Sequence, residues 1–113
     1  MKLIRLIIAG LVLISGSYLF CANRSSGWYN VRNEYVRLHP YCAVCGSVKK
    51  LQVHHIVPFS KNPALELDPN NLITLCESHH CHLIFGHLGS FKSYNVDVRK
   101  DAEYMYNKIK NRP

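Results

Sequence analysis

The chain has 113 residues, with five cysteines, seven histidines and a formal net charge of +7. That length leaves room for one domain and little else, and a core so thin calls for an internal staple, for which the cysteines and histidines supply the material. Without Lys2 and Arg5 the remainder still carries 12 basic against 7 acidic residues, a balance that suits a polyanionic partner such as nucleic acid or an anionic membrane face.

Residues 6–22 carry no charge and follow Lys2 and Arg5. The run sits at the lower edge of what spans a bilayer. It also has the anatomy of a signal peptide: a basic start, an apolar stretch, then Ser15-Gly16-Ser17 as a small-residue cleavage site. The apolar Tyr18-Leu19-Phe20 beyond that site favours an uncleaved anchor, and Phe20 is too large for the residue before a lipidated Cys21. Residues 1–22 are therefore read as a signal peptide or transmembrane anchor. The domain behind them is expected to be membrane-anchored or exported, although Arg24, Arg32 and Arg37 leave a cytoplasm-facing orientation open.

Residues 23–27 read as a linker, and residues 28–113 as the functional domain. Ser25, Ser26 or Asn30 can cap a helix that runs to about Leu38, with Val31, Tyr35 and Leu38 on one face and Pro40 ending it. Trp28, Tyr29 and Tyr35 are read as packing residues of that helix. Residues 41–46 form a tight knuckle. The alternation in Leu51-Gln52-Val53-His54 predicts a strand, the three prolines of residues 57–70 predict a loop, and Leu72-Ile73-Thr74-Leu75 predicts a second strand opened by Asn71. A short helical stretch holds His82 and breaks near Gly86 and Gly89. A last helix runs from about Val98 to Ile109, with Val98, Ala102, Met105 and Ile109 apolar.

Cys42 and Cys45 lie three apart on a turn that Gly46 lets fold back, the chemistry of a zinc knuckle. Cys76 and Cys81 supply a second pair, and four thiolates make a closed tetrahedral site. The second pair is spaced more widely than usual, so His79 stands as an alternative fourth ligand that would leave Cys81 free. Two disulfides, or plain buried thiols, are the competing readings for an exported domain.

A lone histidine pair carries little information. The order of motifs carries more: a Cys-x-x-Cys, a strand ending in His54-His55, Asn71 in Asn-Leu-Ile-x-Leu-Cys, then Cys81-His82 and His87. This order resembles the HNH endonucleases over Cys42 to His87, and the likeness extends towards Phe91-Lys92-Ser93. The resemblance implies an α+β fold, a small ββα-metal domain wrapped round a four-cysteine structural zinc, with flanking helices. It implies His55 as general base and His54, His82 and His87 as ligands of one catalytic divalent ion such as Mg2+, Mn2+ or Zn2+. It implies Asn71 as the residue that ties the long loop and helps hold the base. One departure stands out. Helix ligands in the family usually lie four apart, whereas His82 and His87 are five apart, about 140° round an ideal α-helix instead of about 40°. A break at Gly86 has to swing His87 back, or else His80 or water completes the shell.

The implied activity is metal-dependent hydrolysis of DNA phosphodiester bonds: a neutral histidine takes the proton of water, and an ion clamps the phosphate and the leaving oxygen. Arg32, Arg37, Lys49, Lys50, Lys61, Lys92, Arg99, Lys100, Lys108, Lys110 and Arg112 offer backbone contacts, which give affinity without sequence choice, so low specificity or nicking is expected. A non-catalytic, zinc-stapled nucleic-acid-binding module is the alternative. It needs the four cysteines but not His54, His55, Asn71 and His82 together.

Overall fold

The structure, a computed structural model, describes residues 24–113. The expectation of a signal peptide or anchor over residues 1–22 lies outside the described residues, and among those described no helix is long and apolar enough to cross a membrane.

Helix α1 spans Trp28–Leu38 and starts at Gly27 with no side-chain cap. Ser25 is not the cap: its hydroxyl accepts from Gly27 N and its carbonyl from Trp28 N, a local turn that precedes the helix. Tyr35 is buried, Trp28 and Val31 pack against the core, and Tyr29 and Leu38 are exposed. The sequence placed both of the latter in the packing face. Leu38 is the last residue of the helix.

Strands β1 (Leu51–His55) and β2 (Leu72–Cys76) pair antiparallel, with His54 opposite Ile73 and His55 opposite Leu72. Directly opposed residues share a face, and successive residues alternate. Val53 and Leu72 therefore pack with Tyr35 of α1, while Ile73 and Leu75 join Val44, Cys81, Val98 and Ala102 in the larger cluster. All five β2 residues are buried, because both faces are covered. Between the strands, two short 3-10 turns end the slack. Asn62 and Asp68 cap them by accepting from Ala64 N and Asn70 N, and Pro63 and Pro69 stand just after the caps. Asn71 closes the second turn, so it lies one residue before β2 instead of opening it.

After β2 the chain forms one π-helical turn, His82–Gly86, then helix α2, Val98–Lys110. Val98 and Ala102 are buried and Met105 packs on the core, whereas Ile109 is exposed where the helix runs past it.

Candidate metal and active site

The cysteine site is built from three places. The knuckle brings Cys42 and Cys45 round on Gly46, whose φ of +76° is left-handed and free of strain only for glycine. Ala43 N donates to Thr74 O, which pins the knuckle to the outer edge of β2. Cys76 ends β2 and Cys81 precedes the π turn. The four sulfurs lie within 4.8 Å of one another. Cys45 Sγ and Cys76 Sγ are 3.6 Å apart, too far for a disulfide and close to the roughly 3.8 Å between sulfurs of a tetrahedral zinc with Zn–S about 2.3 Å. The four are free thiols, and the disulfide readings fall away. His79 does not replace Cys81; its Nδ1 sits 3.3 Å from Cys45 Sγ at the cluster's exposed rim.

Crowding shows in the titration of these thiols. Burial pushes Cys45 up to about 11 and Cys81 higher still, with neighbouring thiols adding to both shifts. Burial also opposes ionisation of Cys76, but hydrogen bonds from Ser78, the backbone of His79, Cys45 and Cys81 outweigh it and bring Cys76 down to about 6. A cation at the centre would offset the burial, and the crowding by neighbouring thiols, that raise Cys45 and Cys81. The donor set and its spacing fit a structural zinc.

The second cluster is His54, His82 and His87, also within 4.8 Å of one another. His54 Nδ1 lies 3.1 Å from His82 Nε2, and His82 Nε2 lies 3.2 Å from His87 Nε2. The outer contacts fix the tautomers. His82 Nδ1–H donates to Glu77 Oε1 at 2.6 Å, and His87 Nδ1–H donates to Ser93 O at 2.8 Å. Both Nε2 atoms therefore present lone pairs to each other, which repel without a cation between them. His54 Nε2 is buried and has no partner, so proton sharing cannot satisfy this histidine at both nitrogens. The nitrogen spacings approach the roughly 3.3 Å of a tetrahedral shell with M–N about 2.0 Å. These residues fit a divalent metal with a position left open.

The five-residue spacing of His82 and His87 is resolved by the π turn. Its i→i+5 repeat widens the turn by one residue and brings residues five apart to one side. His80, the alternative ligand, stays outside the cluster, exposed and at a φ of +58°. Gly86 makes the approach possible, because a Cβ there would stand 3.1 Å from both Cε1 and Nε2 of His54. The Phe91 ring lies beside His87, with centroids 4.9 Å apart.

His55 points to the opposite face of β1 from His54, yet both line one cleft at the strand end, with His82, His87, Arg24, Val53, Pro58 and Phe59. His55 Nε2–H donates to Glu66 O at 2.9 Å, and the ring lies against Trp28 at 4.3 Å. That leaves Nδ1 as the unprotonated nitrogen. Burial holds His55 below the usual histidine range, and the charge of Arg24 adds to this; the Glu66 carbonyl and carboxylate partly offset it.

The Asn71 side chain makes its hydrogen bonds to the loop and not to His55. Its Oδ1 accepts from Val57 N at 2.9 Å, and its Nδ2 donates to the carbonyls of Val57 and Leu65 at 3.0 and 3.3 Å. It clamps both ends of the loop, and the loop then presents Glu66 O to His55. Of the basic residues expected to meet DNA, Arg99 is engaged with the carbonyls of Asn70 and Leu72, and Arg37 with Glu34. Sequence reasoning missed Glu66, Glu77 and Ser93. Glu77, five residues before His82, is the one with a local signal.

A two-stranded hairpin and a helical turn bring three histidines together on one point, beside a cluster of four cysteines. Residues 42–86 match the model of the HNH endonuclease family. The match takes in both cysteine pairs, His54, His55, Asn71 and His82, and stops one residue before His87. Neither the curated proteins nor the solved structures gave a match to the chain.

Proposed function

We propose that the chain is a metal-dependent endonuclease that hydrolyses DNA phosphodiester bonds, with low sequence specificity or nicking. The observation that supports this most is the meeting of two lone-pair-bearing nitrogens, His82 Nε2 and His87 Nε2, with buried His54 in the cleft that His55 shares. A binding module needs neither the converging histidines nor a neutral imidazole held beside them.

On this reading, His54, His82 and His87 would hold one divalent ion, which would supply Lewis-acid charge for the displacement at the phosphodiester. His55 accepts at Nδ1 the proton of the attacking water, because its Nε2–H is already committed to Glu66 O. Burial keeps the ring neutral and ready to act as a base. Trp28 limits its rotation from one side. Asn71 is a positioning residue that acts through the loop. The products are 5′-phosphate and 3′-hydroxyl ends. Cys42, Cys45, Cys76 and Cys81 hold structural zinc and fix the knuckle against β2.

The test is plasmid cleavage by the purified full-length chain with magnesium, manganese, zinc or chelator, beside His55→Ala. Nicking or linearisation that chelator abolishes and the variant lacks is the expected result. A folded, zinc-loaded chain that binds DNA but leaves it intact with every ion would overturn the enzyme in favour of the binding module.

A further inference from the structure

Among the residues that line the cleft, Arg24 is the only one whose charge is permanent. It lies outside the family match and in a stretch that the sequence presents as a linker. The structure docks that stretch on the loop between the strands. Arg24 Nε stands 2.9 Å from Glu66 Oε2, Ser25 N donates to Glu66 Oε1 at 2.9 Å, and the Glu66 side chain is only 4 % exposed. The guanidinium carbon lies 4.6 Å from the centroid of the Phe59 ring and 6.0 Å from that of Trp28. Glu66 Oε2 accepts no aligned hydrogen bond, so the side chain is drawn to the carboxylate by charge and flanked along one face by the rings, while about half of it stays open to solvent at the cleft. The two terminal nitrogens carry four N–H donors, and none of them has a hydrogen-bond acceptor among the described residues.

We infer that Arg24 is a ligand of the nucleic-acid backbone: its terminal guanidinium nitrogens bind the phosphodiester presented to His55, and Glu66 is the buried anchor that aims them. The inference rests on the nuclease reading of the cleft. A guanidinium suits the task because it offers paired donors to two phosphate oxygens, and one edge can be fixed by a carboxylate while the other meets the substrate. Phe59 and Trp28 restrict the side chain before substrate arrives, which lowers the entropy lost on binding. The same Glu66 accepts His55 through its carbonyl and holds Arg24 through its carboxylate. One residue therefore sets the spacing between the base and the phosphate ligand.

The experiment measures binding of a fluorescein-labelled DNA duplex by the full-length chain in a His55→Ala background, over a series of salt concentrations. Arg24→Ala is expected to weaken binding on the order of tenfold and to reduce the slope of log affinity against log salt by about one. Arg24→Lys keeps the charge and is expected to restore the slope but not the full affinity. Glu66→Gln retains Arg24 and is expected to leave the slope unchanged. If Arg24→Ala matches its parent in affinity and slope, the inference is overturned; so it is if Glu66→Gln loses the slope as Arg24→Ala does, since the ion pair would then act only as structure. Cleavage by the wild type with no effect of Arg24→Ala on binding removes this inference alone. Neither cleavage nor binding by the wild type removes the nuclease reading with it.

Discussion

The two convergent clusters differ in what surrounds them. The cysteines sit in the larger core, with Cys42 and Cys76 wholly buried, and one bond from the knuckle joins them to the sheet. The histidines sit at the end of the same hairpin, with only His54 buried and His82 and His87 half-open on a cleft. Four donors close one site, and three leave the other with a position open, which on the proposed reading takes a substrate oxygen. A small domain can thus place a closed site and an open site on one pair of strands, with the open one oriented from outside by neighbours such as Glu77, Ser93 and Glu66.

The largest expected effect tests the closed site. Cys76→Ser should remove the structural zinc and the cooperative thermal transition, a loss of several kcal/mol, seen by circular dichroism and zinc analysis. If the variant melts like the wild type, the cysteines are not the staple. Next comes the open site: His55→Ala should lower cleavage by about 10²–10⁴-fold, while both metal contents and the melting temperature stay near wild type. A collapse of the fold would instead assign His55 to the structure.

Two substitutions separate the clusters more finely. Glu77→Gln weakens the acceptor on His82 Nδ1 and should lower affinity for the catalytic ion by about 10–100-fold with structural zinc retained, as measured by competitive chelation. Gly86→Ala should act in the same direction by pressing a methyl group on the His54 ring and on Leu75 Cδ1, 3.2 Å away. Loss of zinc from the cysteines in either variant would show the two sites to be one cooperative unit.

The effect that comes on most gradually is in pH. Burial, and then the charges of His82 and His87, push His54 from 6.5 down to about 3. The unfolded chain therefore binds this proton at a higher pH than the folded chain. Stability of the protein stripped of its catalytic ion is full above about pH 6.5 and is lost as pH falls towards 3, by at most about 1.4 kcal/mol per pH unit for this one proton. Denaturant melts across that range should show the decline, and His54→Asn should flatten it. An unchanged slope in the variant would place the titration elsewhere.

Residue types and local spacing determined much on their own. The Cys-x-x-Cys knuckle, the alternating strands, the proline-rich loop and the order of His54, His55, Asn71 and His82 were legible because ligand chemistry and strand periodicity depend on near neighbours. Tertiary structure decided the rest. It replaced an α turn by a π turn, which gathers His87 despite its five-residue spacing. It chose Cys81 over His79, it gave His55 the Glu66 carbonyl in place of Asn71, and it turned a linker into a docked segment through contacts 41 residues apart in sequence. Such choices are settled by which groups share a buried surface once the hairpin has closed, and no local pattern in the chain encodes that.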